Sequence, residues 1–287
     1  WSSDVCSSDL SMQEIQNRIE SVGVTRQIAQ AMQLVSNTKI RRCREVAEGS
    51  RPFFRETLAL LETVVGAADN VGKAFRPGSG QALYLVIGSD RGLCGGYNAN
   101  ICRLARSLME QEPGGAMLFA LGSRVQEYFS RRDVKIDKSY RGISQNPFYT
   151  DGKEVADHAL TLFRQGAVSK VVLVYTVFET MLAHKPTSLQ LLPLERAPQG
   201  GRGRAVRLEP DTEEMVELLL PDYLSGCIFG ALAEGAMCEQ SARVTSMDAA
   251  VKSCGDLLDE MRLQYNQARQ GAITEEINEI VSGAEAL

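Results

Sequence analysis

Near the C-terminal end, apolar or small residues recur at Met247, Val251, Cys254, Leu258, Met261, Tyr265, Ala268 and Ala272, in steps that alternate four and three. This is a heptad seam, the repeat that winds a helix left-handed around a partner. After Gly271 the seam moves over by one residue, to Ile273, Ile277 and Ile280, and no proline occurs between Asp222 and the end. A helix of about 60 residues would be roughly 90 Å long. That outruns a compact domain, so much of it must pack on another helix or another protein. At the opposite end, Ser11-Met12-Gln13-Glu14 has the form of a capping box. Apolar residues come next at Ile15, Ile19 and Val22, then at Ile28, Met32 and Val35. The wider gap between Val22 and Ile28 predicts a slip of the stripe within one long helix. Pro52 predicts a kink or a short break, after which Phe53, Phe54, Leu58, Leu61, Val64 and Val65 carry the apolar set to about Gly66. Two long amphipathic helices at the chain ends can bury their stripes against each other. Antiparallel pairing is the economical arrangement, with the intervening chain forming a separate head.

The pattern changes between them. Glycines and a proline across 66–81 read as a linker. Ala82–Ile87 is a continuous apolar run, as expected of a buried strand. Ser89–Asn98 is a glycine-rich loop, and Ile101, Leu104, Ala105 and Leu108 line one helix face. Strands are predicted at Met117–Leu121, Lys135–Tyr140 and Val171–Phe178, with an antiparallel neighbour at Leu189–Leu194. Helices are predicted at Ser123–Arg131 and at Val155–Phe163, the latter capped near Thr150-Asp151. Strand–helix alternation of this kind implies a mostly parallel sheet covered by helices, a Rossmann-like α/β head. Glu195–Arg207, rich in Gly, Pro and Arg, reads as a linker or exposed hairpin tip. Asp211-Thr212-Glu213-Glu214 suits the start of a helix through the macrodipole, and Pro221 is expected to interrupt before the terminal helix begins. The expected divisions are therefore 11–66 for the first shaft helix, 67–208 for the head and 209–287 for the second shaft helix. Residues 1–10 show no amphipathic pattern matching the neighbouring helix and are expected to be a foreign extension.

Composition narrows the possibilities. The 287 residues suit one or two domains, and 44% hydrophobic residues suffice for a sizeable core. A net charge of −5 carries no global signature for nucleic acid. No run of about 18 apolar residues occurs, so no bilayer span is expected, and the start lacks the basic and apolar regions of a secretory signal. Seven scattered cysteines without a C-x-x-C pair, together with two histidines, argue against a disulfide framework or a zinc site. Reduced thiols fit better.

Several stretches are candidates for function. Asp90-Arg91-Gly92-Leu93-Cys94-Gly95-Gly96 lies after a strand and opens a helix, where amides can face an anion. It lacks both the Gly-Lys-Ser/Thr ending of a P-loop and the order of a dinucleotide fingerprint. A tight turn needing glycine torsions, or a contact surface, remains. Arg269 and Gln270 read as a solvated helix face, Met32 as core packing, and Lys39, Arg41, Arg42 and Arg44 as a basic run on a helix surface. Gly226, Gly230, Gly235 and Gly255 each disfavour a helix by about 1 kcal/mol against alanine, which close approach between shaft helices would offset.

Three segments carry a resemblance to a known family: Met12–Ile19 with Ile28–Val35; Ser89–Asn98; and Tyr265–Thr274 with Glu276–Val281 beyond it. Together they resemble the gamma subunits of F-type ATP synthases, the bacterial form in particular, and the resemblance covers nearly everything from Ser11 onward. It implies an antiparallel two-helix coiled coil as the shaft of a rotary motor. That shaft would sit inside a ring of alpha and beta subunits. The head would protrude toward the membrane, meeting the epsilon subunit and the c-ring. It implies no catalysis, cofactor or metal of the chain's own, and a peripheral place on the cytoplasmic face of a bacterial plasma membrane. Arg269, Gln270 and Thr274 inherit contact with a loop of one beta subunit. Met32 is implied to lie near an acidic lever of a beta subunit, with Lys39, Arg41 and Arg42 as its basic counterpart. Ile277, Ile280 and Val281 would form an apolar bearing tip. The rival readings are a nucleotide-binding α/β protein with a coiled-coil oligomerisation arm, and a self-associating coiled-coil scaffold.

Overall fold

The computed structural model describes residues 3–66, 80–194 and 212–285. The predicted linkers over 66–81 and 195–207, Asp211, Ala286 and Leu287 lie, apart from the linkers' edges, outside the described residues. The elements among the described residues are, in chain order, α1 (Ser3–Gly66), β1 (Gln81–Ile87), α2 (Tyr97–Glu110), β2 (Ala116–Leu121), α3 (Ser123–Ser130), β3 (Lys138–Tyr140), α4 (Tyr149–Arg164), β4 (Val168–Phe178), β5 (His184–Leu192) and α5 (Thr212–Glu285). The chain forms two compact units. One is Ser36–Thr245; the other joins Trp1–Val35 with Ser246–Leu287.

The unit from Ser36 to Thr245 is built on one five-stranded sheet in the order β3-β2-β1-β4-β5. β1 lies parallel to β2 and β4, β2 parallel to β3, and β4 turns back antiparallel into β5. Every residue of β1 after Gln81 is buried, as a strand covered on both faces requires. The period of two sorts its side chains. Ala82, Tyr84 and Val86 meet Ile101, Cys102 and Ala105 of α2 and Val125 and Phe129 of α3. Leu83, Leu85 and Ile87 face the other way, onto Val155, Ala156 and Leu160 of α4 and Leu220, Leu224 and Ile228 of α5. The α4 start is closed by Asp151, whose Oδ2 accepts from the Phe148 amide at 2.8 Å while the Asp151 amide donates to Phe148 O at 3.0 Å. α4 and α5 come closest at Gly152. A Cβ there would stand 2.8 Å from Ser225 O and 2.9 Å from Phe229 Cβ.

Asp90, just past β1, ties the carboxyl end of the sheet. One oxygen accepts from the Ser123 amide and hydroxyl, both at 3.0 Å; the other accepts from the Ser144 hydroxyl at 2.7 Å and amide at 3.3 Å. The carboxylate thus occupies the N-terminus of α3, where orphan amides and the helix dipole favour negative charge. Gly122, which joins β2 to α3, has φ of 109° and would drive a Cβ to 2.7 Å from Gly88 O, so only glycine fits that turn.

In the other unit α1 and α5 run antiparallel. Gln33 Nε2 donates to Asp248 Oδ1 at 2.9 Å. One heptad further along α5, a Cβ placed on Gly255 would lie 4.0 Å from Cζ of Arg26, one heptad back on α1. Every predicted seam position of α5 from Met247 to Ala272 is buried or half-buried. The seam of α1 differs from expectation. It does not slip after Val22 but continues in unbroken steps of four and three through Arg26, Ala29, Gln33, Ser36, Ile40, Cys43 and Ala47, of which only Arg26 is exposed. Small and polar residues fill it, so a search for large apolar side chains loses the trail. Ile28 and Val35, expected on the stripe, are both 55% exposed.

Three further expectations are corrected, and α5 bears on the expected lack of a bilayer span. Ser11 is no N-cap, because α1 begins at Ser3; residues 3–10 contain neither Gly nor Pro to stop it. Neither Pro52 nor Pro221 breaks its helix. At Pro221 the buried neighbours Leu220 and Leu224 hold α5 in place, against the loss of one backbone hydrogen bond. Gly235 permits close approach, but to the sheet: a Cβ would lie 3.2 Å from Ile87 Cγ2 and from the Tyr97 hydroxyl. Finally, α5 contains an 18-residue window of mean hydropathy 1.4, long and apolar enough by composition to cross a membrane, and half of that window is buried. Its apolarity is used in the core through Leu220, Leu224, Ile228, Ala231 and Leu232.

Two stability measurements bear on this packing. Gly152→Ala forces α4 away from α5 and is expected to cost about 1–3 kcal/mol by denaturant unfolding, as overpacking does. For Asp90, burial pushes the carboxyl up, but hydrogen bonds from Ser144, Gly142 and Ser123 outweigh it, and the net direction is down. Its contribution is therefore fully present above the unfolded carboxyl value of about 4 and is lost progressively as pH falls from there through the lower folded value. Asp90→Asn is expected to cost about 1–3 kcal/mol at neutral pH. The gap to the parent should narrow below about pH 4 in unfolding titrations.

Candidate functional site on the head loop and the far end of α5

The loop from Ser89 to Tyr97 spends its polar groups internally. The Ser89 amide donates to Asn98 Oδ1 at 2.9 Å, the Asp90 amide to Ser144 Oγ at 2.9 Å, and the Tyr97 amide to Cys94 O at 3.2 Å. Asn98 Nδ2 reaches Ser89 Oγ at 2.7 Å and Cys94 Sγ at 3.1 Å. With these amides taken and the Asp90 carboxylate at the sheet end, the loop is a tied turn. Gly95, at φ of 54°, supplies one left-handed position and Leu93, at φ of 61°, another. Arg91, Gly95 and Gly96 are exposed, Gly92 and Asp90 half-buried.

In open α/β sheets ligands bind outside the carboxyl ends of the strands where the strand order reverses. Here that point lies between β1 and β4. It is filled by the chain's own α5. Gly235 lies against Ile87, Cys238 Sγ donates to Thr176 O at 3.5 Å, and the Phe178 amide donates to Glu234 Oε1 at 3.1 Å. One helical turn on, Arg243 Nη2 pairs with Glu239 Oε1 at 2.6 Å and donates to Gly92 O at 3.1 Å. This ion pair is buried, with side chains 6% and 1% exposed. Burial raises the Glu239 carboxyl above its usual range, against the opposing pull of Arg243. Burial likewise raises the Tyr97 phenol and the Cys94 and Cys238 thiols. Such thiols are poor nucleophiles. Glu239, Arg243, Asn98 and Ser144 escaped the sequence reading. The signal was present in one case: Glu239 and Arg243 stand four apart in a stretch otherwise dominated by small and apolar residues.

The remaining predicted residues lie on the helices. Arg269, Gln270 and Thr274 are exposed, and the Thr274 hydroxyl donates to Gln270 O at 2.8 Å. Ile277 is 54% exposed, Ile280 67% and Val281 50%. Beyond Ala272 no described side chain of α5 is buried. At about 100° per residue, Ile273, Ile277, Ile280 and Val281 centre roughly opposite the Tyr265–Ala268–Ala272 line. They are thus a separate, exposed face rather than a buried seam, with Arg269 at one edge, Thr274 at the other and Gln270 within its arc. Met32 is half-buried on α1. In the other unit, Lys39 is half-buried and Arg41 and Arg42 are exposed.

Comparison with known proteins bears on the family and the fold. The family described as ATP synthase matches residues 11–287. An ATP synthase gamma chain from Alkaliphilus metalliredigens is 37% identical, covering 96% of this chain and 98% of its own length. A sodium-ion-specific ATP synthase gamma chain from Acetobacterium woodii is 35% identical with the same coverage. Among solved structures, the Euglena gracilis mitochondrial ATP synthase in rotational state 3 contains a chain that superposes with a TM-score of 0.72. It is 16% identical, over 96% of this chain and 94% of that one. The central stalk of the Tetrahymena thermophila enzyme gives 0.60 at 22% identity, over 78% and 99%. These two likenesses bear on the fold, whereas the family match and the relatives run the length of the sequence: this chain belongs to the ATP synthase gamma-chain family.

Proposed function

We propose that the chain is the central shaft of a rotary ATP synthase. It turns inside a ring of alpha and beta subunits and carries torque between that ring and a membrane c-ring, with an epsilon subunit at the head. It makes and breaks no bonds itself. Its angle sets which beta subunit binds, converts or releases nucleotide, so rotation and nucleotide affinity are reciprocally coupled. In this reading it belongs to a membrane-associated complex, peripheral to the cytoplasmic face of a bacterial plasma membrane.

The observation that carries the reading is the far end of α5. Ile273, Ile277, Ile280 and Val281 form an apolar helix face that nothing described in the chain covers. A sleeve of alpha and beta subunits would cover it. Apolar contacts are non-directional, so a shaft held by them meets little angular barrier. Arg269 and Thr274 at the edges of that face, and Gln270 within its arc, are assigned to a loop of one beta subunit. The planar guanidinium of Arg269 grips a carboxylate in two-point fashion. Met32, Lys39, Arg41 and Arg42 are assigned to an acidic lever of a beta subunit, through attraction that salt screens. The head loop, with Asp90, Arg91, Gly92, Gly95 and Gly96, is assigned to a contact at the base of the shaft.

Added to a purified alpha–beta hexamer, the chain should raise ATP hydrolysis well above that of the hexamer alone. Hydrolysis that stays at the hexamer's own rate would sink the proposal. Arg269→Ala should weaken docking to the hexamer by about 2–5 kcal/mol where the partner carboxylate is desolvated. Thr274→Val should cost less, because the Thr274 hydroxyl is already engaged by Gln270 O. Titrations of the two variants against the hexamer at fixed salt compare them directly.

A further inference from the structure

The tip of the head loop is held against its own preference. Leu93 has φ of 61°, a left-handed conformation that residues with a side chain rarely adopt and that persists only where surroundings impose it. It is also 61% exposed. Gly92, Gly95 and Gly96 surround it, so a residue free of the strain stands close by on either side but not at this position. The root of the loop is tied by Asp90 to Ser123 and Ser144, and its far side by Asn98 to Ser89 and Cys94. Ser89 Oγ donates to Arg91 O at 2.6 Å from within the loop. Among the described hydrogen bonds, the one that reaches Arg91–Cys94 from outside the loop and the first turn of α2 is that of Arg243 to Gly92 O.

We infer that Arg243 and Glu239 are positioning residues: from inside α5 they hold the tip at Arg91–Cys94, and with it the exposed Leu93, in a conformation the tip does not choose for itself. The burial of the pair supports this. A buried ion pair is weak support for stability, since apolar residues of like volume often serve as well or better. This pair is moreover incompletely satisfied, because Glu239 Oε2 has no hydrogen-bond partner among the described residues. What the pair does supply is a directed donor. Glu239 fixes the guanidinium by one nitrogen, and that nitrogen reaches the carbonyl of the residue before Leu93. The inference rests on the proposed function only in taking the loop as a contact surface, for which the exposed Leu93 would be the presented side chain. A turn of α5 about its own axis at Arg243 would then move Leu93.

The test uses the full chain with Arg243→Lys, Leu93→Gly and the double variant. Lysine keeps the charge beside Glu239 but lacks the fixed, planar donor geometry that aims Nη2 at Gly92 O. In Arg243→Lys, hydrogen exchange at the amides of Gly92–Cys94 should quicken about tenfold while β1 and α2 are unchanged. Leu93→Gly removes the strain the clamp opposes. In that background Arg243→Lys should raise the unfolding equilibrium constant at least about threefold more than it does alone, because losing the clamp no longer lets the tip recover strain at Leu93. Unchanged exchange at the tip, exchange that rises throughout the sheet, or additive effects in the double variant would each overturn the inference. Arg243→Met is the second variant should lysine preserve the bond: tip exchange as slow as in the parent would count against the clamp. None of these measurements involves the hexamer, so failure to stimulate ATP hydrolysis would bear on the proposed function alone.

Discussion

The structure depends on one helix meeting a different environment along each part of its length. α5 begins as a wall of the sheet core, where Leu220, Leu224 and Ile228 are fully buried. It then fills the crevice at the strand ends through Gly235, Cys238 and Arg243. From Met247 it is half of an antiparallel pair, and from Ile273 its apolar residues face outward. A helix that changes partner this often has no single amphipathic stripe. Each section is stable only because what it meets there matches the side chains it presents.

This explains what was legible from the order of residues and what was not. The strands were readable because period two and valine-rich runs are local signals. β1 and β2 start within a residue of where the apolar runs place them, while β4 begins earlier and β5 earlier still. The α5 seam was readable because Leu258, Met261 and Tyr265 are large. The α1 seam was not, because Ala29, Gln33 and Ser36 make it, whereas Ile28 and Val35, the obvious hydrophobic residues, point away. The prolines misled for a related reason: each removes one hydrogen bond, and the packing of a 64- or 74-residue helix outweighs that.

The head loop shows how an α/β fold can persist without the ligand its architecture is suited to hold. The strand order, the glycine-rich turn and the helix after it are the elements of a phosphate site. Asp90 places a carboxylate at the α3 N-terminus, and α5 fills the crevice with Cys238 and Glu239, beside Tyr97 of α2. Loop chemistry and helix packing thus both disfavour an anion at the strand ends. Neither is visible in the loop sequence alone, since the residues that close the site come from as far away as Ser144 and Arg243.

The seam of α1 has a consequence for calibre. Distance between helix axes varies over about 8–10 Å with the side chains at the contact. Where Ala29, 5% exposed, sits in the seam, the smallest side chains set the thickness of the rod. The larger aliphatics, Val24, Ile28 and Val35, are turned to its outer surface as a skin. A leucine at position 29 would leave the composition of that skin untouched and still make the rod too wide for a closely fitted bore.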